Sequence, residues 1–200
     1  MNGWSMHEGL VVGLPKEGVD TDQLIPARFM SAPRSEGYGK FLLHDLRRSE
    51  DTLDPAFPLN RPEAIDASIL VAARNFGGGS SREAAVYALV DAGFQVVAAP
   101  SFGDIFAGNA VNNGLLPAQI AEADAALLLN ALSMPAKAIV DLNRCKITMG
   151  ALIVPFDIDP VGRMKLIKGW DDIDLTRDHA HEIARFRERA ETEQPWVFPA

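Results

Sequence analysis

The sequence is poor in cysteine: Cys145 is the only one among 200 residues. A single thiol cannot form an internal disulfide, and it cannot supply the three or four thiolates that hold an iron–sulfur cluster. Any such cofactor must therefore be held by another chain. Cys145 lies between two basic residues in a short strand-like stretch, which predicts an ordinary half-buried thiol.

The sequence also lacks long apolar runs and an excess of positive charge. No apolar run reaches the roughly 18 residues that a helix needs to cross a bilayer, and the N-terminus has no basic stretch followed by an apolar one. The 19 Lys and Arg residues are outnumbered by 27 Asp and Glu residues, which gives a formal charge of −8. The negatively charged phosphates of nucleic acids bind positively charged protein surfaces, and the charge of this chain is negative. We expect a soluble, cytoplasmic protein that binds neither membranes nor nucleic acid.

The chain contains enough hydrophobic residues to form one core. Hydrophobic residues make up 48% of the chain, and no internal repeat, low-complexity tract or linker divides it. A chain of this length ordinarily encloses one hydrophobic core. We therefore predict a single domain over residues 1–200.

The middle of the chain alternates between two kinds of apolar segment. Continuous apolar runs over 68–73, 94–99 and 115–120 predict strands that are buried on both faces. The mostly apolar stretches 84–92 and 102–112 predict helices. Because strands that alternate with helices pair in parallel through right-handed crossovers, we predict an α/β fold with a parallel strand–helix–strand core.

The flanking regions are less regular. A short strand is predicted over 10–14, and a long ordered loop over 30–62 contains at most a short helix over 40–47. Further strands are predicted over 138–142, 146–148 and 151–156. Near the end, one amphipathic surface helix is predicted over about 176–192, with a packing stripe of His179, Ile183, Phe186 and Ala190.

Three consecutive glycines join the first buried strand of the middle region to its helix. The segment reads Gly77, Gly78, Gly79, Ser80, Ser81 and Arg82. A turn of this kind directs backbone N–H groups to one point, with the positive end of the helix dipole behind them, and that geometry binds an anion. Two hydroxyls on the first helical turn and a planar guanidinium would add carboxylate recognition.

A purely structural role for the same residues is the alternative. A serine at a helix start is most often an N-cap, and Glu83 would close a capping box here. The segment lacks the Lys-Ser/Thr pair of a nucleotide-binding P-loop, the spacing of the dinucleotide-binding glycine pattern and the flanking glycines of a nucleophile elbow. Spacing alone does not separate an anion site from a capped helix.

Residues 75–83 (NFGGGSSRE) resemble the Gly-x-Gly-Ser-Ser-Arg-Glu signature of the swivelling domain in the aconitase superfamily. Residues 19–26 (VDTDQLIP) are similar to the Asp-Thr-Asp-x-Ile-Ile-Pro segment of isopropylmalate dehydratase small subunits. Further short matches follow in the family's order at 37–39, 99–102, 104–106, 108–109 and 113–117. The chain is identified as a member of this family, and the resemblance, over about residues 8–175, implies a swivelling β/β/α domain.

The resemblance also implies an activity. Members of this type form the small subunit of a hydro-lyase that interconverts 2-isopropylmalate and 3-isopropylmalate by dehydration and rehydration in leucine biosynthesis. In the family a separate large subunit holds a 4Fe–4S cluster, whose iron binds the substrate hydroxyl and a carboxylate. This chain is therefore expected to bind no metal or cofactor itself, to take a large-subunit partner and a small dicarboxylate substrate, and to be inactive alone.

Catalytic roles follow from the same resemblance. Ser80 is the expected base that removes a proton from the carbon next to a carboxylate, and backbone N–H groups of the turn from Gly77 to Gly79 would stabilise its alkoxide. Ser81 and Arg82 are expected to hold substrate carboxylate oxygens.

Three residues outside the glycine turn complete the expected site. Asp22 would lie at the rim of the pocket. The loop over 26–39 would face the variable group of the substrate, and both Arg28 and Arg34 are candidates to reach a carboxylate there. For each of these arginines, a solvated surface position is the alternative.

The sequence departs from the family pattern at three positions. Gly78 stands where members usually have Cys, Ala84 stands where they have His before Ala or Pro, and Val86 replaces a frequent Trp. These departures leave two alternatives: a related subunit that acts on another 2-hydroxy diacid, of the methylmalate/citraconate or dimethylmalate type, and a non-catalytic partner subunit. The retained Ser80 and Arg82 favour a catalytic chain.

Overall fold

The structure, a computed structural model, describes residues 2–50 and 52–197. It has nine strands in this part of the chain: β1 Met6–Leu14, β2 Arg48–Ser49, β3 Thr52–Leu53, β4 Ala67–Ala72, β5 Val96–Ala99, β6 Leu116–Gln119, β7 Ala136–Asp141, β8 Lys146–Met149 and β9 Leu152–Pro155. Seven of them form one sheet in the order β6-β5-β4-β1-β7-β8-β9, and β2 and β3 form a separate hairpin.

Seven α-helices accompany the strands in the described ranges: α1 Thr21–Leu24, α2 Glu83–Asp91, α3 Asp104–Asn112, α4 Glu122–Ala131, α5 Pro160–Lys168, α6 Asp172–Asp178 and α7 Ala180–Glu193. Single 3₁₀ turns lie at Ala27–Phe29, Arg34–Glu36, Gly39–Phe41, Pro58–Asn60, Pro62–Ala64 and Pro195–Val197. Within residues 2–50 and 52–197, no helix combines the length and the apolar character that a membrane crossing needs.

The large sheet is half parallel and half antiparallel. Strand β4 pairs in parallel with β1 and β5, and β5 pairs in parallel with β6. Strands β7, β8 and β9 continue the sheet from β1 in antiparallel pairs. The predicted parallel strand–helix–strand core and the predicted C-terminal strand pairs are both confirmed.

Both faces of the sheet are covered. Along β4, Leu70 and Ala72 belong to one apolar cluster with α2, whereas Ile69 and Val71 belong to a second cluster with α4 and α5. Successive side chains of a strand point to opposite faces, so a strand buried on both faces needs an unbroken apolar run. This is why the run over 68–73 was readable as a strand.

Among the described residues of the loop predicted over 30–62, the short helix that the sequence allowed over 40–47 does not form. A single 3₁₀ turn, Gly39–Phe41, occupies its start. Leu43 then takes a positive φ of 52°, which a right-handed helix cannot accommodate, and its N–H donates to the carbonyl of Leu24 (2.9 Å). Burial of Leu42 and Leu43 in the core sets this path.

The C-terminal region differs most from expectation. Two helices, α6 and α7, replace the single helix predicted over 176–192. The helical conformation is interrupted at His179, which lies between them. Asp171 starts α6 early through a capping box with Asp174. The predicted stripe does not pack on the domain, because His179 is exposed and the side chains of Ile183 and Phe186 are 48% and 62% exposed.

We propose that the sheet and its two covering layers form one domain, and Leu70 offers a test. Its side chain is fully buried on the central strand β4, so Leu70→Ala is expected to lower the free energy of unfolding by about 2–5 kcal/mol. Ile153→Ala is the control, because that side chain is 62% exposed on the edge strand β9, and we expect a change within about 0.5 kcal/mol. Urea unfolding followed by fluorescence and by circular dichroism should give one coincident transition; two transitions would argue for two folding units.

Candidate functional site

The glycine turn leaves β4 over a layer of aromatic rings. Phe76 is fully buried and packs edge-on against Phe106, with ring centroids 5.5 Å apart. Gly77 follows with a φ of +72°, and a Cβ at this position would lie 2.3 Å from the Phe106 ring. Gly79 also has a positive φ, +92°. Glycine is therefore required at 77 by both conformation and space, and it is favoured at 79 by conformation.

The two segments that carried the family resemblance are hydrogen-bonded neighbours. The N–H of Gly77 donates to the carbonyl of Val19 (2.7 Å), and the N–H of Thr21 donates to the carbonyl of Gly78 (2.9 Å). Asp20 and Gly78 thereby form a parallel β-bridge. Residues almost 60 positions apart in the chain are thus joined directly beside Ser80.

Thr21 is a site residue that sequence reasoning missed. Its side chain is 2% exposed, and its hydroxyl donates to the carbonyl of Ser80 (2.9 Å). The same carbonyl accepts the N–H of Arg82 (2.8 Å). Because a trans peptide places its C=O and N–H on opposite sides, these two bonds also fix the direction of the Ser81 N–H. The only signal in the sequence was the position of Thr21 between two aspartates.

The serines lie before α2 and not on its first turn, which corrects the prediction. The N-cap is Arg82 and makes no side-chain capping bond. Ser80 therefore does not act as a cap, and Glu83 closes no capping box. Its carboxylate accepts a hydrogen bond from the Asn113 amide instead (2.9 Å).

Backbone donors at this turn remain available. The N–H groups of Ser80 and Ser81 donate to no residue in the described part of the chain, and α2 begins two residues further on at Glu83. Free N–H groups in front of a helix N-terminus attract negative charge. The free donors of Ser80 and Ser81 directly follow the predicted turn, whereas the Gly77 N–H within it is bound to the carbonyl of Val19. An anion at this turn stays a prediction.

A cleft of about 180 Å³ opens at the turn. It is lined by Thr21, Gly77, Gly78, Gly79, Ser80, Arg82, Gly103, Asp104, Ile105 and Phe106. The Arg82 guanidinium donates to the carboxylate of Asp22, and the Arg82 side chain is 21% exposed. Ser80 and Ser81 are both exposed. The structure therefore brings together Ser80, Arg82, Asp22 and the three glycines.

Arg28 and Arg34, the two arginines of the loop, form ion pairs away from the Ser80 cleft. Arg34 forms a two-pronged ion pair with Asp91 (2.5 and 2.8 Å) and lies 4.4 Å from the centroid of the Tyr87 ring. Asp91 ends α2, which begins at Glu83 beside the cleft, and a nine-residue helix is about 12 Å long between its end residues. Arg34 thus lies at the far end of α2 from Ser80.

Arg28 is paired within its own loop. Its guanidinium donates twice to the carboxylate of Asp45, once at 2.9 Å, and lies 4.5 Å from the centroid of the Phe29 ring. The hydrogen bonds from Arg28 lower the pKa of Asp45 to about 2. Substrate contacts by Arg28 and Arg34 remain predictions.

Most departures from the family pattern lie away from the cleft. Ala84 and Val86 are buried in the core cluster that covers one face of the sheet. Gly78 does line the cleft, and the nearest atom that a Cβ there would meet is Oδ1 of the Asn75 side chain, at 3.1 Å. Of these positions, only Gly78 bears directly on what the cleft accepts.

No metal-binding cluster is found in the described ranges 2–50 and 52–197: no three His, Cys, Asp or Glu side chains are arranged to hold an ion. Cys145 is half-buried, as predicted. Its thiol contacts the carbonyl of Leu142 and the guanidinium of Arg163, each at 3.5 Å.

The sequence of this chain is similar to the sequences of known proteins. Residues 1–123 match the family described as the Aconitase C-terminal domain. A 3-isopropylmalate dehydratase small subunit from Geobacillus kaustophilus is 43% identical over 199 residues, which cover 94% of this chain and 98% of that protein. The chain belongs to the family of 3-isopropylmalate dehydratase small subunits. A Shewanella sp. (strain W3-18-1) protein of the same name is 42% identical and covers 93% of this chain and 96% of its own length.

A solved structure shows the same fold. The 3-isopropylmalate dehydratase structure from Methanocaldococcus jannaschii DSM2661 superposes with a TM-score of 0.67, covering 90% of this chain and 98% of that one. At 22% identity the likeness concerns the fold alone. It confirms the swivelling-domain fold of the family that was predicted from the motifs.

The glycine turn predicts different tolerance at adjacent positions. Gly77→Ala is expected to destabilise the protein by about 2–5 kcal/mol, since it combines a left-handed backbone with overpacking against Phe106. Gly78→Ala is the matched control, because its backbone lies outside the left-handed region and the Asn75 side chain can move. We expect a loss below about 1 kcal/mol there. Equal losses in urea unfolding would contradict the packing described for Gly77.

Proposed function

We propose that this chain is the small subunit of a 3-isopropylmalate dehydratase, which interconverts 2-isopropylmalate and 3-isopropylmalate by dehydration and rehydration in leucine biosynthesis. One observation carries the proposal: 43% identity over nearly the whole length with a relative of that name. The intact segment from Ser80 to Arg82 supports it, because a cleft with an anion-binding turn and an arginine suits a dicarboxylate.

We place the remaining chemistry in a large subunit, as the relatives' name implies. When bound there, a 4Fe–4S cluster would supply a Lewis-acidic iron that binds the substrate hydroxyl and a carboxylate. The single cysteine of this chain is too few to ligate such a cluster. This chain would close the site from the other side and contribute the base and the carboxylate-binding groups.

Ser80 acts as the base in this proposal. The Ser80 alkoxide would take the proton from the carbon next to a carboxylate and become the hydroxyl, and that hydroxyl would return the proton in the reverse step. A free serine hydroxyl is too weak an acid to deprotonate readily, so its alkoxide needs stabilisation. The free N–H of Ser81 and the N-terminus of α2 provide it, more strongly once a partner subunit excludes water from the cleft.

Arg82 binds a substrate carboxylate in this proposal. A guanidinium carries five N–H donors, and the bond to Asp22 uses one nitrogen and leaves the others available. Asp22 thereby orients the planar group toward the cleft and keeps its charge partly compensated until substrate arrives. The Ser81 hydroxyl, exposed on the same turn, adds a further donor.

The substrate test is a comparison of diacids. The chain, combined with its large subunit and reconstituted anaerobically, is assayed with 2-isopropylmalate, 2-methylmalate and 2,3-dimethylmalate by the ultraviolet absorbance of the unsaturated product. We expect the highest kcat/KM for 2-isopropylmalate. A higher value for a smaller diacid would shift the proposal to the related hydro-lyase, and Gly78 would then be the residue to examine first. Absence of turnover with every diacid would favour a non-catalytic subunit.

Ser80→Ala tests the base directly. The Ser80 side chain caps no helix, so its loss should change the free energy of unfolding by less than about 0.5 kcal/mol. Turnover in the reconstituted enzyme should fall by about 10²–10⁴-fold, as expected on removal of a proton-transfer group. Ser133→Ala, at an exposed serine outside the cleft, is the control and should keep full activity. Normal turnover by Ser80→Ala would move the base to the large subunit.

Arg82→Lys tests the two-pronged carboxylate contact. Lysine keeps the charge but lacks the planar fork, and one lost charge-assisted bond costs about 1.5–3 kcal/mol. We therefore expect kcat/KM to fall roughly 10- to 150-fold. Arg74→Lys is the matched control, since Arg74 is an exposed arginine paired with Glu17 and Glu122. Equal kinetics for the two variants would give Arg82 a structural role only.

A further inference from the structure

The two C-terminal helices α6 and α7, which we call the C-terminal arm, expose apolar side chains. No described residue of α7 is buried. Ile173 on α6 and Phe186 on α7 are each 62% exposed, and Ile183 is 48% exposed. Helix α7 has 14 residues, and an isolated helix of that length is only marginally stable in water. Exposed apolar side chains that are grouped on two adjacent helices indicate a surface that another protein covers.

The arm is continuous with the Ser80 cleft. A groove of about 530 Å³ runs between α3 and α5, and its lining includes both Asp104 and Asp172. Asp104 also lines the Ser80 cleft, and Asp172 also lines a groove of about 630 Å³ between α6 and α7. The three concave surfaces thus share lining residues and form one path across the molecule.

Polar contacts to the buried side chain of Lys165 fix the base of the arm to the domain. The side chain of Lys165 on α5 is 7% exposed, and its ammonium donates to Asp172 at the start of α6 (2.6 Å) and to Asn112 at the end of α3. The Asn112 amide also donates to Asp172 (3.2 Å). The direction in which α6 leaves the domain is therefore set by α3 and α5, the two helices that also form the groove.

We propose that the large subunit docks along this path, from the Ser80 cleft through the groove to the C-terminal arm. The proposal rests on the function proposed above, in which that subunit faces Ser80. Exposed apolar side chains mark the route: Ile105 at the cleft, Val161 in the groove and Ile173 on the arm. A partner that covers the cleft therefore has a continuous surface leading to the otherwise uncovered helices.

Charge distinguishes the large subunit from a second copy of this chain. Asp104, Asp157 and Asp159 line the groove, and no Lys, Arg or His within the described ranges forms an ion pair with them. The charge of Lys165 is already matched by Asp172. Two copies, each of formal charge −8, would bring like charges together. The part of the large subunit that meets this groove is thus expected to be apolar with Lys or Arg residues, whereas Arg177 and Arg187 line the arm's own groove.

The test places two negative charges on the arm and compares that variant with one that carries a single negative charge at an equally exposed residue elsewhere. The test variant is the double substitution Ile173→Glu, Phe186→Glu. The control is Ile153→Glu, because Ile153 is also 62% exposed. Its neighbour Val154 packs in the cluster that contains Leu166 of α5, so Ile153 points to the opposite face of the sheet. Far-ultraviolet circular dichroism verifies that both variants keep the wild-type fold.

Affinity and turnover are then measured separately. By calorimetric titration into purified large subunit, the double variant should bind about tenfold more weakly or worse, and Ile153→Glu should bind as wild type. At saturating small subunit the double variant should reach the wild-type kcat, because neither residue lines the Ser80 cleft. The small-subunit concentration for half-maximal activity should rise in proportion to Kd.

Two outcomes would overturn the docking proposal. One is a wild-type Kd and half-maximal concentration for the double variant. The other is a wild-type chain that sediments alone as a dimer and becomes a monomer on Ile173→Glu, Phe186→Glu, which would make the arm a contact between copies. Failure of the proposed function looks different: wild-type chain would bind the large subunit through the arm and yet support no turnover with any diacid.

Discussion

The contact between residues 19–21 and the glycine turn is the interaction on which the candidate site depends. Three hydrogen bonds make it: Gly77 to Val19, Thr21 to Gly78, and the Thr21 hydroxyl to the carbonyl of Ser80. The glycine turn lies outside helices and strands, and residues 19–21 lead only into the four-residue helix α1, so each segment is fixed largely by the other. The Asp22 carboxylate reaches Arg82 because it follows Thr21 directly. Thr21 is one of only two polar side chains buried among the described residues, the other being Lys165 at the base of the arm.

The central sheet and its first two helices were predictable because local pattern and tertiary burial agree there. Strand β4 is apolar without interruption since both of its faces are covered, and α2 ends near Gly93 as the sequence suggested. Helix α4 escaped prediction: it has no side-chain cap, and its apolar residues do not concentrate on one face. Helix α5 did carry signals, namely the Asp159 cap, Pro160 at its start and Gly169 in the left-handed conformation at its end.

The candidate site was predictable in its composition but not in its connections. The motif identified Ser80, Arg82 and the glycines, and the structure gathers them around one cleft. Sequence spacing carries no information on which carboxylate an arginine meets. Arg34 pairs with Asp91, 57 residues away, and Arg28 pairs with Asp45, 17 residues away. Likewise, an apolar stripe predicts that a helix is covered but does not say whether its own domain or another protein covers it.

The close approach of Gly77 to Phe106 has an evolutionary consequence. The aromatic ring occupies the space that any side chain at position 77 would need, so we expect the residues at the two positions to change together. A lineage can accept a larger residue at 77 only after the ring at 106 has been replaced by something smaller. Either single change passes through an overpacked or a hollow intermediate next to the Ser80 cleft. The order in which residues 77 and 106 can be substituted is therefore constrained, and this constraint slows sequence change at the edge of the site.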